Sequence, residues 1–175
     1  MTSEDTKDYG DGTNNIAGTD YDWGVYNAIS NGGNKAGVWR TLTKEEWNYL
    51  YDTRANAENL RGQATVNGQT GYILLPDGWS TPSGMTFTAD SYDYTTNSYT
   101  ASEWSKMEAS GAVFLPCAGF RYGTTVNYVG TFGFYWSSTY VSSYYAYYFF
   151  FSSSDVLPSG INYRYIGHSV RLVQE

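Results

Sequence analysis

Apolar residues recur with helical spacing in the segment RTLTKEEWNYLYDTR. Trp47, Leu50 and Tyr51 stand at i, i+3 and i+4, which places them on one face of an α-helix. Just before them, Thr43 and Glu46 have the spacing of a capping box, in which each side chain bonds the backbone N–H of the other residue. The pattern therefore predicts an amphipathic helix that begins after Thr43.

A second segment, ASEWSKMEAS, repeats this design. Thr100 and Glu103 form its capping box, and Trp104 and Met107 lie on one face. Gly111 stands where the helix should end, because glycine readily adopts the left-handed conformation that closes a helical C-terminus. Two short helices are therefore predicted to bracket the middle of the chain.

Five other runs have the length and apolar content of β-strands. They are GYILLP at 71–76, AVFLP at 112–116, FYWSST at 134–139, YAYYFFF at 145–151 and HSVRLV at 168–173. The stretches between them are rich in Gly, Asn, Ser and Thr, and they predict long loops at 80–99, 122–133 and 152–166. Loops of this length usually carry function.

The run YAYYFFF should divide its rings between two faces, because successive side chains of a strand point to opposite sides. Tyr147, Phe149 and Phe151 share one face, whereas Tyr148 and Phe150 share the other. The residues that we expect to be buried across all predicted segments are Trp47, Leu50, Leu74, Phe114, Trp136, Tyr147, Phe149, Phe151, Val170 and Leu172.

The composition favours a β-rich or α+β protein over a helical bundle. The 175 residues include 19 Gly, 19 Tyr and 6 Trp, but only 4 Pro. This length suits one domain. The chain divides into a polar N-terminal arm at 1–19, for which we expect no core residue, and a domain at 20–175.

Charge and cysteine content exclude several functions. The formal net charge of −7 opposes nucleic-acid binding, because a protein that neutralises phosphates needs a basic face. Cys117 is the single cysteine, so the chain can form neither an internal disulfide nor a cysteine-based zinc site. No apolar run approaches the length of a membrane span, and the first residues lack the pattern of a signal peptide. We expect no metal or organic cofactor and no direct membrane insertion; a calcium ion held by loop carbonyls and Asp residues is the one exception left open.

The order of several motifs resembles one fold family. WRTLTKEEWNYL is followed by GYILLPDGW, by a helix leading into AVFLPCAGFR, by YWSST and finally by GHSVRLV. Over residues 20–175 this series is similar to the C-type lectin fold. The most similar branch includes formylglycine-generating enzymes, Bacteroidetes surface proteins and the variable proteins of diversity-generating retroelements. The resemblance implies an α+β domain in which the terminal strands pair, two short helices flank small antiparallel sheets, and long irregular loops lie on one face.

The activities of this branch do not all carry over. Formylglycine generation requires a pair of cysteines that hold copper, and this chain has only Cys117, which we interpret as a small buried residue. Calcium-dependent sugar binding in this fold uses Glu-Pro-Asn or Gln-Pro-Asp with Trp-Asn-Asp, and none of these triplets occurs here. We therefore expect neither an enzyme nor a dedicated calcium and sugar site.

The retroelement variable proteins also have a compositional signature. Adenines in their AAC codons are randomised, so a varied position can become Tyr, Phe, Ser, Asn or Gly but not Lys, Glu, Gln, Met or Trp. Residues 118–173 contain no Lys, Glu, Gln or Met, and their single Trp is Trp136 in the YWSS motif. The alternative is a β-rich half of the chain that lacks these residues by chance.

The resemblance thus implies a variable, ligand-binding region at about 120–173. The family pattern VNPxNNNNRNNG falls on VLPSGINYRYIG at 156–167, and a second pattern puts template Asn codons at Tyr148 and Phe150. Tyr, Ser, Gly and Asn are also the residues that selected binding surfaces accumulate. The predicted ligand-binding residues are Tyr122, Phe132, Phe134, Tyr140, Ser142, Tyr144, Tyr145, Tyr148, Phe150, Ser152, Asp155, Leu157, Ile161, Asn162, Tyr163, Tyr165 and Ile166.

The leading interpretation is a receptor-binding or adhesin module that recognises a protein or glycan ligand. We expect its binding face to include one exposed apolar patch, formed by Tyr148, Phe150, Tyr163, Tyr165 and Ile166. The implied location is the cell surface or the outside of the cell, on a pilus, a lipoprotein or a phage particle, with no export signal in this chain. Two alternatives stay open: a structural surface domain of the same fold without diversification and, with less support, a relative of formylglycine-generating enzymes. No pattern predicts an oligomeric state.

Overall fold

The structure, a computed structural model, describes Ile16, Asp22 and residues 35–174. The predicted polar arm at 1–19 and the first part of the predicted domain lie outside the described residues, except at Ile16 and Asp22. The described part is an α+β arrangement of two short α-helices and eleven strands in four small sheets, in agreement with the predicted fold class in outline.

The helices and strands are short. In chain order they are β1 (Trp39–Thr41), α1 (Lys44–Asn48), β2 (Arg61–Val66), β3 (Gln69–Leu74), β4 (Ser98–Tyr99), α2 (Ala101–Ala109), β5 (Val113–Pro116), β6 (Phe120–Tyr122), β7 (Thr125–Asn127), β8 (Gly133–Tyr140), β9 (Tyr145–Phe151), β10 (Val156–Tyr163) and β11 (Leu172–Gln174). A π-helical turn (Tyr49–Thr53) extends α1, and a 3-10 turn (Ala57–Leu60) precedes β2. β1 pairs with β11 and β6 with β7, β9 lies between β8 and β10, and the fourth sheet has the order β4-β2-β3-β5.

Both predicted capping boxes are present. The Thr43 hydroxyl accepts a hydrogen bond from the Glu46 N–H at 3.2 Å, and the Glu46 carboxylate accepts one from the Thr43 N–H at 2.8 Å. Thr100 and Glu103 make the same exchange at the start of α2. A hydrogen-bonded salt bridge to Arg40 at 2.6 Å, together with the bonds from Thr43, lowers the pKa of Glu46 to about 2. Each box satisfies backbone donors that the start of a helix leaves free, which is worth about 1 kcal/mol.

The main core lies between α1 and the inner face of the β8-β9-β10 sheet. Phe149 and Phe151 are fully buried, and the Phe149 ring stacks on Trp47 with 4.9 Å between centroids and 7° between planes. Tyr72 of β3 contacts both phenylalanines, at 5.8 and 5.2 Å between centroids. A second core cluster, which includes Met107, packs between α2 and the four-stranded sheet. The predicted alternation of YAYYFFF is therefore confirmed at Phe149 and Phe151.

The predicted core is confirmed in part. Trp47, Leu74, Phe149 and Phe151 are buried, whereas Leu50, Phe114, Trp136, Tyr147 and Leu172 are only partly buried. Val170 is 47% exposed, so its predicted burial is wrong. The reason is that β11 begins only at Leu172, and Ser169 makes an isolated bridge to Tyr135. The alternation predicted for HSVRLV therefore does not hold before Leu172.

One predicted loop contains a long strand. β10 (Val156–Tyr163) lies within the stretch 152–166 and pairs with β9 in antiparallel register. This register shifts between Leu157 and Gly160, around Pro158, which has no N–H to donate to a neighbouring strand. Pro158 and Gly160 therefore interrupt the alternation by which a strand is identified in a sequence.

The other two predicted loops also contain strand residues, β7 within 122–133 and β4 within 80–99. β4 pairs in parallel with β2, so the expectation of small antiparallel sheets is wrong at this edge.

β2 and β3 form a hairpin across Asn67 and Gly68, whose φ angles of 48° and 79° belong to the left-handed region. Asn-Gly is the preferred pair in such turns, so this hairpin had a signal in the sequence that our prediction did not use.

The first and last described strands pair with each other. Trp39 lies opposite Gln174 and Thr41 opposite Leu172, which agrees with the expectation of paired terminal strands. The buried carboxylate of Asp22 accepts hydrogen bonds from the Thr41 N–H and hydroxyl, at 2.9 and 2.8 Å. Among the described residues, no helix has the length and apolar character needed to cross a membrane.

Candidate ligand-binding face

The outer face of the β8-β9-β10 sheet, opposite the core, carries aromatic side chains. The register pairs Phe134 with Phe150 and Trp136 with Tyr148, so these four rings lie on one face. Rings from β6, from the segment after β7 and from the segment before β11 pack against them. We name the whole group the outer-face cluster; its members are Phe120, Tyr128, Phe132, Phe134, Trp136, Tyr148, Phe150 and His168.

His168 lies in the middle of the outer-face cluster. Its ring stacks on Phe134 with 5.0 Å between centroids and 12° between planes, and it contacts Trp136 at 4.3 Å and Tyr148 at 5.0 Å. Burial lowers the pKa of His168 to about 3, so its imidazole is neutral near pH 7. The Asn162 amide nitrogen lies 3.1 Å from Nε2 of His168. Because an amide nitrogen can only donate, Nε2 accepts this bond and Nδ1 carries the ring hydrogen.

Four tyrosines form a second group, which we name the tyrosine row: Tyr122 of β6, Tyr145 of β9, Tyr163 of β10 and Tyr165 of the following turn. Centroid distances are 4.6 Å for Tyr145 and Tyr163, 5.2 Å for Tyr163 and Tyr165, and 6.1 Å for Tyr165 and Tyr122. A hydrogen bond with the Tyr163 side chain raises the pKa of Tyr145. Tyr122, Tyr163 and Tyr165 are 57, 41 and 44% exposed. The row is therefore a stack of rings in contact with solvent.

Backbone hydrogen bonds bring the parts of the tyrosine row together. The Arg164 N–H donates to the Tyr144 carbonyl at 3.0 Å, which joins the end of β10 to the turn before β9. Arg121 and Gly167 exchange two backbone bonds, of 2.7 and 2.8 Å, which join β6 to the segment after β10. A Cβ on Gly167 would lie 2.9 Å from the Cβ of Arg121, so this close approach requires glycine.

The predicted ligand-binding residues differ in exposure. Exposed are Tyr122, Tyr144, Asp155, Leu157, Ile161, Tyr163 and Tyr165. Half-buried are Phe132, Tyr140, Ser142, Tyr145, Tyr148, Phe150 and Asn162. Buried are Phe134, Ser152 and Ile166.

The three buried positions lie beneath the surface that a ligand could reach. Phe134 is covered by other rings of the outer-face cluster. The Ser152 hydroxyl accepts a hydrogen bond from the Asp155 N–H at 3.1 Å, and its carbonyl accepts one from the Gln63 side chain. Ile166 is only 8% exposed, because the turn after β10 directs it inward, so its predicted exposure is wrong.

The single apolar patch predicted for this face is instead two groups. Along β9 and β10, Tyr148 lies opposite Gly160 and Tyr145 lies opposite Tyr163. Because Tyr145 and Tyr148 are three positions apart on one strand, their side chains point to opposite faces. Tyr148 therefore belongs to the outer-face cluster and Tyr163 to the tyrosine row. The prediction is wrong on this point because it placed Tyr163 in a loop rather than in β10.

Three exposed apolar residues near β7 were not predicted from the sequence. Val126, Tyr128 and Val129 are 56, 53 and 62% exposed. Tyr128 has a φ of 60°, which is uncommon for a residue with a bulky side chain, and its ring stacks on Phe132 at 4.7 Å. The apolar residues of the run TVNYVG, within a predicted loop, were the sequence signal for this exposed surface. They extend the exposed apolar surface beyond the predicted ligand-binding residues.

No reactive or metal-binding constellation accompanies this face. Cys117 is buried, which raises the pKa of its thiol, and its S–H donates to the Tyr94 hydroxyl at 3.3 Å. A buried thiol with a raised pKa is a poor nucleophile. Within residues 35–174, and at Ile16 and Asp22, no group of three or more His, Cys, Asp or Glu side chains is placed to hold a metal ion.

Comparison of the chain with family models, curated proteins and solved structures gives no match. The outer-face cluster and the tyrosine row are therefore the features from which a function can be proposed.

Proposed function

We propose that this chain is a ligand-binding protein with a C-type lectin fold, whose C-terminal face is diversified as in retroelement variable proteins. The pairing of β1 with β11, the two short helices and the small sheets support the fold. The absence of Lys, Glu, Gln and Met from residues 118–173 supports the diversification. In this proposal the chain is a receptor-binding or adhesin module on a cell surface or a phage particle, not an enzyme.

The tyrosine row is the observation that carries the proposal. Its rings come from β6, β9, the end of β10 and the turn after β10, and they meet each other in solvent rather than in the core. A soluble protein rarely keeps a large contiguous apolar surface unless that surface binds something. Tyrosine supplies a large amphipathic contact area at a low cost in conformational entropy, and it is enriched in the residues that dominate binding energy. The row therefore has the composition and the exposure of a binding surface.

The charge of this part of the sequence agrees with the proposal. Residues 118–173 contain Arg121, Arg164 and Arg171 but only one acidic residue, Asp155, and so carry a net charge of +2 within a chain of net charge −7. A ligand with an acidic surface is therefore attracted to this region and repelled by the rest of the protein. Such an asymmetry favours one orientation of approach, and its effect weakens as salt is added.

One observation favours the second candidate, a structural surface domain without diversification. Phe134, Trp136 and Tyr148 pack with His168, as aromatic residues do when they stabilise a fold. The outer-face cluster is compatible with both candidates, because a rigid layer of rings supports either a binding face or an inert surface. The exposed tyrosine row is the feature that separates them.

Sequencing the DNA around the gene tests the diversification. We expect a near-copy of the segment that encodes about 120–173, with AAC codons at the positions of Tyr163 and Tyr165, beside a gene for a reverse transcriptase. Clones from one population should differ at Tyr163 and Tyr165 but agree at Phe149 and Phe151, which are fully buried in the core. A single copy of the segment, with no reverse transcriptase gene nearby, would contradict the proposal and favour the structural domain.

A further inference from the structure

The Tyr148 ring lies across β10 and covers Gly160. The two residues are register partners, and a Cβ on Gly160 would lie 2.7, 2.8 and 3.1 Å from Cζ, Cε1 and Cε2 of Tyr148. These distances are shorter than van der Waals contact, so a side chain at position 160 and the present position of the ring exclude each other. The obstructing atoms belong to the outer end of a side chain, which moves more easily than backbone.

The neighbours of the Tyr148 ring limit where it can go. Its centroid lies 5.0 Å from that of His168, 5.8 Å from Phe134 and 6.1 Å from Trp136. These rings occupy the side away from β10, and packed side chains leave no gap of the size of a phenol ring. A ring displaced from Gly160 must therefore move outward into solvent.

We propose that residue 160 sets the position of the Tyr148 ring and thereby the shape of the outer face of the β8-β9-β10 sheet. Glycine at this position lets the Tyr148 ring lie flat against the sheet, and a side chain there turns the ring out into solvent. A change at residue 160 thus alters the outer face in two ways, through its own side chain and through the position of the Tyr148 ring. The consequence for recognition rests on the proposed function, whereas the movement of the ring does not.

Nitration of tyrosines by tetranitromethane, mapped by peptide mass spectrometry, tests this coupling in the full chain. The half-buried Tyr148, whose pKa is raised by burial, should react more slowly than Tyr144, which is 70% exposed. In Gly160→Ala we expect the reaction rate at Tyr148 to rise severalfold, towards that of Tyr144. Gly78→Ala is the matched control, because a Cβ on Gly78 meets no atom within 4 Å, and it should leave the rate at Tyr148 unchanged.

An unchanged rate at Tyr148 in a folded Gly160→Ala protein would overturn the proposal. If Gly160→Ala does not fold, the double variant Tyr148→Ser/Gly160→Ala decides the question. Recovery of folding in the double variant would support the proposal, because the obstructing ring is gone. A double variant as unstable as Gly160→Ala would place the obstruction in the backbone and overturn it. None of these outcomes depends on whether the tyrosine row binds a ligand, so failure of one proposal can be told from failure of the other.

Discussion

Replacing Phe149 by alanine should remove the centre of the core. The ring is fully buried, it stacks on Trp47 at 4.9 Å, and it contacts Tyr72 at 5.8 Å and Phe151 at 5.8 Å. Truncation of a buried Phe costs about 3–5 kcal/mol, and each aromatic pair adds about 0.5–1.5 kcal/mol beyond burial. We therefore expect a loss near the upper end, about 4–5 kcal/mol, which is a large part of the stability of a domain of this size.

Urea unfolding, followed by circular dichroism, measures this loss as a lower midpoint with an unchanged slope. Phe150→Ala is the matched control, since it removes the same ring from the next residue of the same strand. Phe150 is half-buried on the outer face, where it contacts Phe132 at 5.7 Å and Phe134 at 5.0 Å, so a loss of about 1–2 kcal/mol is expected. Equal losses for the two variants, or a larger loss for Phe150→Ala, would refute the assignment of inner and outer faces.

Three further predictions concern single residues. The pKa of His168 is about 3 in the folded protein against 6.5 for an exposed histidine, so the unfolded chain binds more protons between these values. The contribution of His168 to stability should be complete above pH 6.5 and fall towards pH 3 by at most about 1.4 kcal/mol per pH unit. In pH-resolved urea unfolding, His168→Gln should lack the fall between pH 6.5 and about 4.5, below which the lowered pKa of Glu46 adds its own loss of stability. Thr100→Ala removes the capping box of α2 and should cost about 1 kcal/mol in thermal unfolding, most of which Thr100→Ser should restore. Gly133→Ala places a Cβ against the ring of Phe151, which is fully buried and has no room to move. The free energy of unfolding in urea should therefore fall by about 2–3 kcal/mol more than in Gly78→Ala, and equal losses would show that the Gly133 site has spare room.

Elements encoded by adjacent residues could be predicted from the sequence. The capping boxes at Thr43 and Thr100 gave the starts of α1 and α2, and the alternating rings of YAYYFFF gave β9 as Tyr145–Phe151 with its inner face. Each of these signals involves residues that are only a few positions apart in the sequence. Local propensity and burial agree there, so nearby residues alone were sufficient.

Features that depend on pairing between distant segments could not be predicted. β10 was missed because Pro158 and Gly160 break its alternation, and only its pairing with β9 makes the segment a strand. Tyr163 was consequently grouped with Tyr148, although the register puts the two rings on opposite faces. The tyrosine row also needs the bridge between Arg121 and Gly167, which joins residues that are far apart in the sequence. The sequence therefore predicted which residue types form the candidate site, whereas the structure was needed to show which of them meet.

Binding by variants of the tyrosine row tests the central claim most directly. The wild-type protein, Tyr163→Ser and the control Tyr92→Ser, which removes a similarly exposed tyrosine from outside the row, would be applied to a glycan array and a panel of purified bacterial surface proteins. Tyr92→Ser should change stability by about 0.5 kcal/mol, as is typical of surface positions. Tyr163→Ser also removes ring contacts with Tyr145 and Tyr165 and should cost about 1 kcal/mol, which leaves the protein folded. A glycan or protein bound by the wild type should keep its affinity for Tyr92→Ser and lose about 30-fold or more for Tyr163→Ser, the loss that corresponds to an interface hot spot. Equal affinity of all three proteins for that glycan or protein would contradict the assignment of the tyrosine row as the binding surface.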